Sequence, residues 1–419
     1  QWIATGYVLA MGLAVPISGW AVNRFGGKRV YIFSLFVFFA GSVLSALAWN
    51  INSLICFTVL QGTAAGLMMP TLTTMLVRTS GGSNLGRVMS IISIPALLGP
   101  ILGPVLGGVI VNSLSWRWIF CVNIPICIVA LLLAWRGLHK EKASDGKQSL
   151  DIIGILLLSP AFAILIYGIS QIRSQGGLSN AVVIPLVIGL ALMCAFIVYA
   201  LRKKSQPVLD VRLFRTSNFS ASSVLLFLSG IVTNGAMLLL PLYYQQVRGE
   251  SVLFAGLWLI PQGVGMLLTQ SWVGKLADRK GSRNIVLIGL VATIVGTLPF
   301  AFAGADTNHI LLAAALLIRG AGLGGLLIPI MASAYIGLNK EQIPHASIAT
   351  RIFQTIGGAF GSAIFATVIQ HQLSSNSAPD IQTIVGAYNI AFWWLIGFAM
   401  IAIIPAMLLS IRKNEPAAK

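Results

Sequence analysis

Ten carboxylates, four histidines and four cysteines are the groups this 419-residue chain offers for acid–base, metal or nucleophilic chemistry. None is arranged for it. His139, His309, His345 and His371 stand in loops or near the ends of apolar runs, without metal-ligand spacing. Cys56, Cys121, Cys127 and Cys194 form no CxxC or Cys/His cluster and read as small core hydrophobes. The acids Glu141, Asp145, Asp151, Asp210, Glu250, Asp278, Asp306, Glu341, Asp380 and Glu415 all fall in loops or at the ends of apolar runs. No Walker A, HExxH, GxSxG or Ser/His/Asp constellation occurs, so ATP hydrolysis and metalloenzyme chemistry have no residues to stand on. No catalytic residue, metal or cofactor is expected.

The patterned residues are of another kind. Gly19-Trp-Ala-Val-Asn23-Arg24-Phe-Gly26-Gly-Lys28 recurs as Gly274-Lys-Leu-Ala-Asp278-Arg279-Lys-Gly281-Ser-Arg283, each residue 255 positions after its counterpart (278 minus 23, 281 minus 26). Each copy joins two apolar runs, and glycine permits the tight reversal between them. The Asp278 carboxylate can pair with a neighbouring arginine or cap a helix. A basic glycine turn would suffice to set topology, but duplication at a constant offset favours a paired latch that opens when two bundles rock.

Two further patterns lie within apolar runs. Gly99-Pro100-Ile-Leu-Gly103-Pro104-Val-Leu-Gly107-Gly108 puts glycines four apart on one helical face, where a neighbour can approach closely, and its prolines bend that helix. Gln61-Gly62-(x)3-Gly66 corresponds to Arg319-Gly320-(x)3-Gly324 at an offset of 258 (319 minus 61), close to that of the loops. Arg319 is the one charge placed deep in a run, about 13 Å from its end by helical rise. Such a charge is costly and usually functional, although backbone carbonyls or the pseudo-symmetric Gln61 could hold it structurally. Arg351 lies shallower and could snorkel. Gln61, Asn234, Gln262 and Gln354 are candidate cavity polars, with Met68, Met69 and Tyr243 as adaptable wall; taken singly, each also fits plain helix packing. Trp116, Arg117 and Trp118 read as an interfacial anchor.

The elements that must position these residues are membrane helices. Hydrophobic residues make up 57% of the chain and charged residues only 9%, whereas soluble domains carry about 25% charged. Runs of about 20 apolar residues, the length that spans a bilayer, recur at 2–22, 30–48, 54–77, 88–112, 117–135, 152–172, 181–201, 219–244, 253–274, 284–303, 310–336, 346–371 and 387–411. Thirteen helices in an all-α polytopic membrane protein follow, since in lipid only helices or closed barrels satisfy the backbone. The net charge of +17 is a topology signal rather than a nucleic-acid footprint. Arg117, Arg173 and Arg248 fall on one side and nearly all other Lys and Arg on the other, which the positive-inside rule makes cytoplasmic. That places the C-terminus inside. An odd helix count and a start without Met are read as one missing N-terminal helix, a cleaved signal peptide being the competing account. The expected organisation is an N-terminal bundle over 1–135, basic loops and two inserted helices over 136–218 packed at the periphery, a C-terminal bundle over 219–411, and a tail over 412–419. Paired bundles with a site between them are a transporter plan.

These residues resemble the major facilitator superfamily, and within it the fourteen-helix drug:proton antiporters. The resemblance is carried by the two loops, the Gly99 to Gly108 stretch as the antiporter motif, Gln61-Gly62, Trp116 to Pro125, and Arg351 to Ala363. It implies export of lipophilic drugs or toxic compounds across a bacterial cytoplasmic membrane by alternating access, driven by the proton gradient, by a monomer needing only the bilayer and a small lipophilic substrate. The family's loop aspartate falls on Asn23, and its third-span arginine, associated with proton coupling, on Thr58. Export of a narrower endogenous metabolite and a truncated, non-transporting membrane protein stay open beside this reading.

Overall fold

The computed structural model describes residues 2–80, 110, 115–138, 150–175, 179–203, 207–339, 341–374 and 380–409. Among them the chain is helical and has no strand. It begins with α1 (Trp2–Phe25), α2 (Gly27–Ala46) and α3 (Ile51–Ser80), followed by α4 (Trp118–Cys121) and α5 (Asn123–Gly137) as one span. Helices α6 (Ile152–Gln175) and α7 (Asn180–Arg202) form a hairpin, and α8 (Ser217–Gln246) follows a short 3-10 turn. The remainder comprises α9 (Val252–Leu257), α10 (Ile260–Lys280), α11 (Ser282–Thr297), α12 (His309–Gly324), α13 (Leu327–Ala334), α14 (Ile343–Ser374), α15 (Ile381–Ile401) and α16 (Ile403–Met407). Twelve stretches of the described residues are long and apolar enough to cross a membrane. They match twelve of the thirteen expected spans; the other, 88–112, lies outside the described residues except for residue 110, and with it Gly99, Pro100, Gly103, Pro104, Gly107 and Gly108.

The outward surface confirms a lipid environment. Trp272, Ile310 and Phe302 are 79%, 78% and 69% exposed, an arrangement that water would penalise and hydrocarbon accepts. Cys56 and Cys194 also face outward and only Cys127 is buried, so the expectation of four core cysteines fails for two of them. Inside, the helices meet through small residues, because lipid gives no hydrophobic drive between helices and close backbone approach must supply the contact.

The same packing solution is used twice. A Cβ added at Gly62 would lie 2.2 Å from the Tyr7 carbonyl oxygen, and one at Gly320 would lie 2.0 Å from that of Gln262, the residue 255 after Tyr7. Gly66 meets the Met11 carbonyl as Gly324 meets that of Met266. The two repeated loops also share their turn: Gly26 and Gly281 both have φ 82°, a conformation that side chains rarely tolerate. Offset glycines in the sequence are thus contact points between α1 and α3 and again between α10 and α12.

Helices α6 and α7 behave differently from one another. Helix α7 packs chiefly on α6 and exposes Val183, Ile184, Val187 and Leu190. Helix α6 instead packs against both α1 and α14, with Leu158, Ala161, Phe162 and Ile169 almost wholly buried. The expectation of two peripheral helices therefore holds for the packing of α7 and fails for α6, which is wedged between the first and second halves of the chain.

Candidate substrate cavity and its closed end

Between these halves lies a cavity of about 500 Å³, within the range of small-molecule sites. Helix α1 lines it with Thr5, Val8 and Met11, and α6 with Ile166, Tyr167 and Ser170. Helix α8 contributes Asn234, and α14 contributes Arg351, Gln354, Thr355 and Ser362. All four helices therefore present a polar group on a mainly apolar wall. The lining of α1 belongs to its first half, which points away from the basic loops, and Ser362 lies well along α14 in the same direction. The cavity accordingly occupies the end opposite the basic loops.

Among the described residues the basic end is closed. Thr74 Oγ1 on α3 donates to Ser347 Oγ on α14 at 3.1 Å, and the same Ser347 oxygen accepts from Tyr335 OH at 3.2 Å. A Cβ on Gly19 would lie 2.8 Å from Ile348 Cδ1, so the end of α1 rests on the start of α14. Val15, Val77, Ile343, Ala346 and Ile348 close the gap as one buried apolar cluster. Arg351 lies one helical turn beyond Ser347, about 6 Å along the axis, and forms the floor of the cavity on top of this seal.

The candidate residues divide accordingly. Asn234, Arg351 and Gln354 line the cavity; Arg351 faces it rather than snorkelling to the basic end. Gln61 does not line it: its Nε2 donates to Ser42 Oγ at 2.6 Å inside its own half. Thr58 is buried and returns its hydroxyl to the Leu54 and Ile55 carbonyls of α3. Tyr243 is fully buried at the end away from the basic loops, with its hydroxyl on the Gly304 carbonyl. Met68 is half-buried and Met69 exposed, and neither is among the described lining.

Arg319 is 1% exposed and belongs to a hydrogen-bond site rather than to the cavity. Its Nη1 donates to Gln262 Oε1 at 2.7 Å, its Nε to Thr297 Oγ1 at 3.2 Å, and its Nη2 to the Val232 carbonyl at 3.3 Å. Gln61 is not its partner. Instead the two positions are equivalents: Gln61 bonds Ser42 as Arg319 bonds Thr297, and 42 and 297 differ by 255.

In the first loop, Asn23 is buried and its Oδ1 accepts from Arg78 Nη2 at 2.8 Å, joining α1 to α3 within one half. Arg24 is exposed, and Lys28 donates to the Trp135 and Leu138 carbonyls at the end of α5, where a cation suits the helix terminus. In the second loop Gly274 is buried; the side chains of Asp278 and Arg279 lie outside the described part of the structure. Arg117 donates to the Ala48 carbonyl at 3.0 Å just past α2 and stacks on Trp116, a helix-end contact that the sequence left without a named partner.

One polar cluster went unnoticed in the sequence. Asp151 Oδ1 caps α6 by accepting from the Gly154 amide at 3.0 Å, accepts from Tyr199 OH at 2.7 Å and pairs with Lys203 Nζ at 2.7 Å. Its Oδ2 accepts from the Val208 amide at 3.0 Å, and His345 Nδ1 on α14 donates to the Val208 carbonyl at 2.9 Å. An acid three residues before a glycine at the start of an apolar run is a readable N-cap signal. Burial raises the Asp151 pKa, but the bonds from Lys203, Tyr199 and the two amides outweigh it and hold the carboxyl below its ordinary 3.8. Its stabilisation is therefore complete above about pH 5 and lost as pH falls through the depressed value. Asp151→Ala should cost about 2 kcal/mol near neutral pH and flatten the acid limb of a thermal-melting profile; an unchanged acid limb would remove Asp151 from this role.

Comparison with known proteins joins this architecture to a family. The description "Major Facilitator Superfamily" matches residues 1–362. The chain belongs to the major facilitator superfamily. A "Multidrug resistance protein B homolog" of Mycobacterium tuberculosis is 36% identical over 376 residues, 89% of this chain and 69% of that protein. "Multidrug export protein EmrB" of Haemophilus influenzae is 28% identical over 366 residues, covering 87% of this chain and 71% of the relative. Among solved structures, the human organic anion transporter MFSD10 (TETRAN) superposes with a TM-score of 0.67 at 17% identity, over 98% of this chain and 83% of its own. A double-tryptophan variant of XylE gives 0.64 at 16%, over 96% and 84%. These likenesses establish the major facilitator fold, and the two relatives just given carry multidrug-resistance and multidrug-export names.

Proposed function

We propose that this superfamily member exports lipophilic small molecules across the bacterial cytoplasmic membrane by alternating access, in exchange for protons, with its C-terminus and basic loops in the cytoplasm. The observation that carries the reading is the cavity itself, sealed at the basic end by contacts between the two halves and lying toward the other end. On this reading it is one half of an alternating-access cycle, caught facing outward, and the halves divide near residues 135 and 219. Rocking would break the Thr74 and Gly19 contacts and let the cavity load from the cytoplasm. Printed names of the relatives, multidrug resistance and multidrug export, support the substrate class. The loops around Gly26 and Gly281 serve as the cytoplasmic gating loops that release as the halves rock.

Everted membrane vesicles carrying the full chain should accumulate a lipophilic dye when energised, and a protonophore should abolish that accumulation. Uptake indifferent to the gradient would overturn proton exchange, and no uptake of any dye would overturn export.

A further inference from the structure

We infer that the cavity selects lipophilic anions, with Arg351 as the fixed counter-charge for a carboxylate or sulfonate on an apolar body. The inference rests on the export reading above and names its substrate class. A guanidinium stays protonated in any protein environment, and at eight residues, about 12 Å, into α14 it lies where a bare charge is costly. Membrane proteins meet that cost by pairing. Arg319 shows the usual remedy in the same chain, with three acceptors around its guanidinium. Arg351 has no hydrogen bond or ion pair among the described residues; the Tyr7 phenol on α1 is an electrostatic neighbour but carries no charge to balance it, and Arg351 is the sole charged side chain among the described lining.

The acids are all engaged or distant. Asp151 is paired with Lys203. Asp210 and Asp380 cap helices, with Oδ1 accepting from the Arg212 and Ile381 amides. Glu250 and Asp306 surround the outer-end group of Arg248 and His309, Glu341 precedes α14, and Glu141, Asp145, Asp278 and Glu415 belong by sequence to the basic-side loops and tail. The cavity field is therefore positive. Gln354, one turn from Arg351, and the second amide hydrogen of Asn234, whose first goes to the Gly230 carbonyl, supply neutral donors for the remaining anion oxygens, while Val8, Met11 and Ile166 take the apolar body. A lipophilic cation would meet the guanidinium unscreened in a low-dielectric site.

The test uses three probes with one scaffold: 4-(1-pyrenyl)butyrate, the matching alcohol and the matching amine. Proteoliposomes of the full chain are titrated with each, with empty liposomes subtracting lipid partition. The butyrate should bind at least about tenfold more tightly than the alcohol, the value of one charge-assisted hydrogen bond, and the amine more weakly than either. Arg351→Gln should bring the ratio of butyrate to alcohol affinity close to one, and Arg351→Lys should restore most of the preference. Equal binding of butyrate and alcohol by the wild type overturns the inference whatever the variants do. A preference that survives Arg351→Gln overturns it as well, since another cation would then be supplying the counter-charge. Dye export that proceeds without anion preference sinks this inference alone; failure to export any compound sinks the export reading.

Discussion

Cysteines placed at Thr74 and Ser347 will lock the transporter when oxidised, and reductant will release it. The two hydroxyl oxygens are 3.1 Å apart, so sulfurs in their places start within reach of each other, and a disulfide needs only that the Cβ atoms come to about 3.5–4.5 Å. Thr74 lies near the basic end of α3 and Ser347 one turn into α14, and they belong to different halves. If the basic end must part for the cavity to load, a covalent bond there forbids the cycle while leaving the cavity intact. The four native cysteines form no bond, and the single variants, which cannot bridge, are the controls. Dye transport by the oxidised double variant should fall to background and return on reduction, with probe binding kept throughout. Transport at the wild-type rate through a locked protein would mean that this contact is not a moving gate.

The parts of this architecture that were legible in the sequence are those where chemistry permits one residue type. Gly26 and Gly281 are legible because a φ of 82° demands glycine at both corners, and Gly62, Gly66, Gly320 and Gly324 because a carbonyl occupies the place of the missing Cβ. Apolar length gives the spans, and the asymmetry of Lys and Arg gives their alternation. Polar residues on membrane helices are less readable. Gln61 and Asn234 look alike in a string, yet one turns into its own half toward Ser42 and the other into the cavity; helix rotation, which no local pattern records, decides between them. The role of α6 was hidden for a related reason: a helix without a counterpart in the repeat carries no internal clue to where it docks. The Asp151 cluster joins residues as far apart as 151 and 208, with His345 a further step away.

The equivalence of Gln61 and Arg319 leads to the last expected result, a graded loss of stability at position 319. Arg319→Ala removes a donor from three buried acceptors at once, Gln262 Oε1, Thr297 Oγ1 and the Val232 carbonyl, and leaves a void where a long side chain was packed. Unsatisfied buried groups cost about 1–3 kcal/mol each, part of which is offset because a desolvated charge is also removed, so a net loss of about 3 kcal/mol is expected. Arg319→Gln should lose only about 1 kcal/mol. The first half of the chain already holds that solution: Gln61 sits at the equivalent position, hydrogen-bonded to Ser42 as a glutamine at 319 would be to Thr297, and the two sites share a glycine neighbour in Gly41 and Gly296. Thermal unfolding of the purified variants in one detergent orders them wild type, Gln, Ala. Because Arg319 is outside the cavity, residual transport should follow the amount of folded protein, with no change in the preference among the three pyrenyl probes. Equal destabilisation by Gln and Ala would break the equivalence of the two halves at this site. A shift in probe preference without loss of stability would instead place Arg319 in substrate recognition.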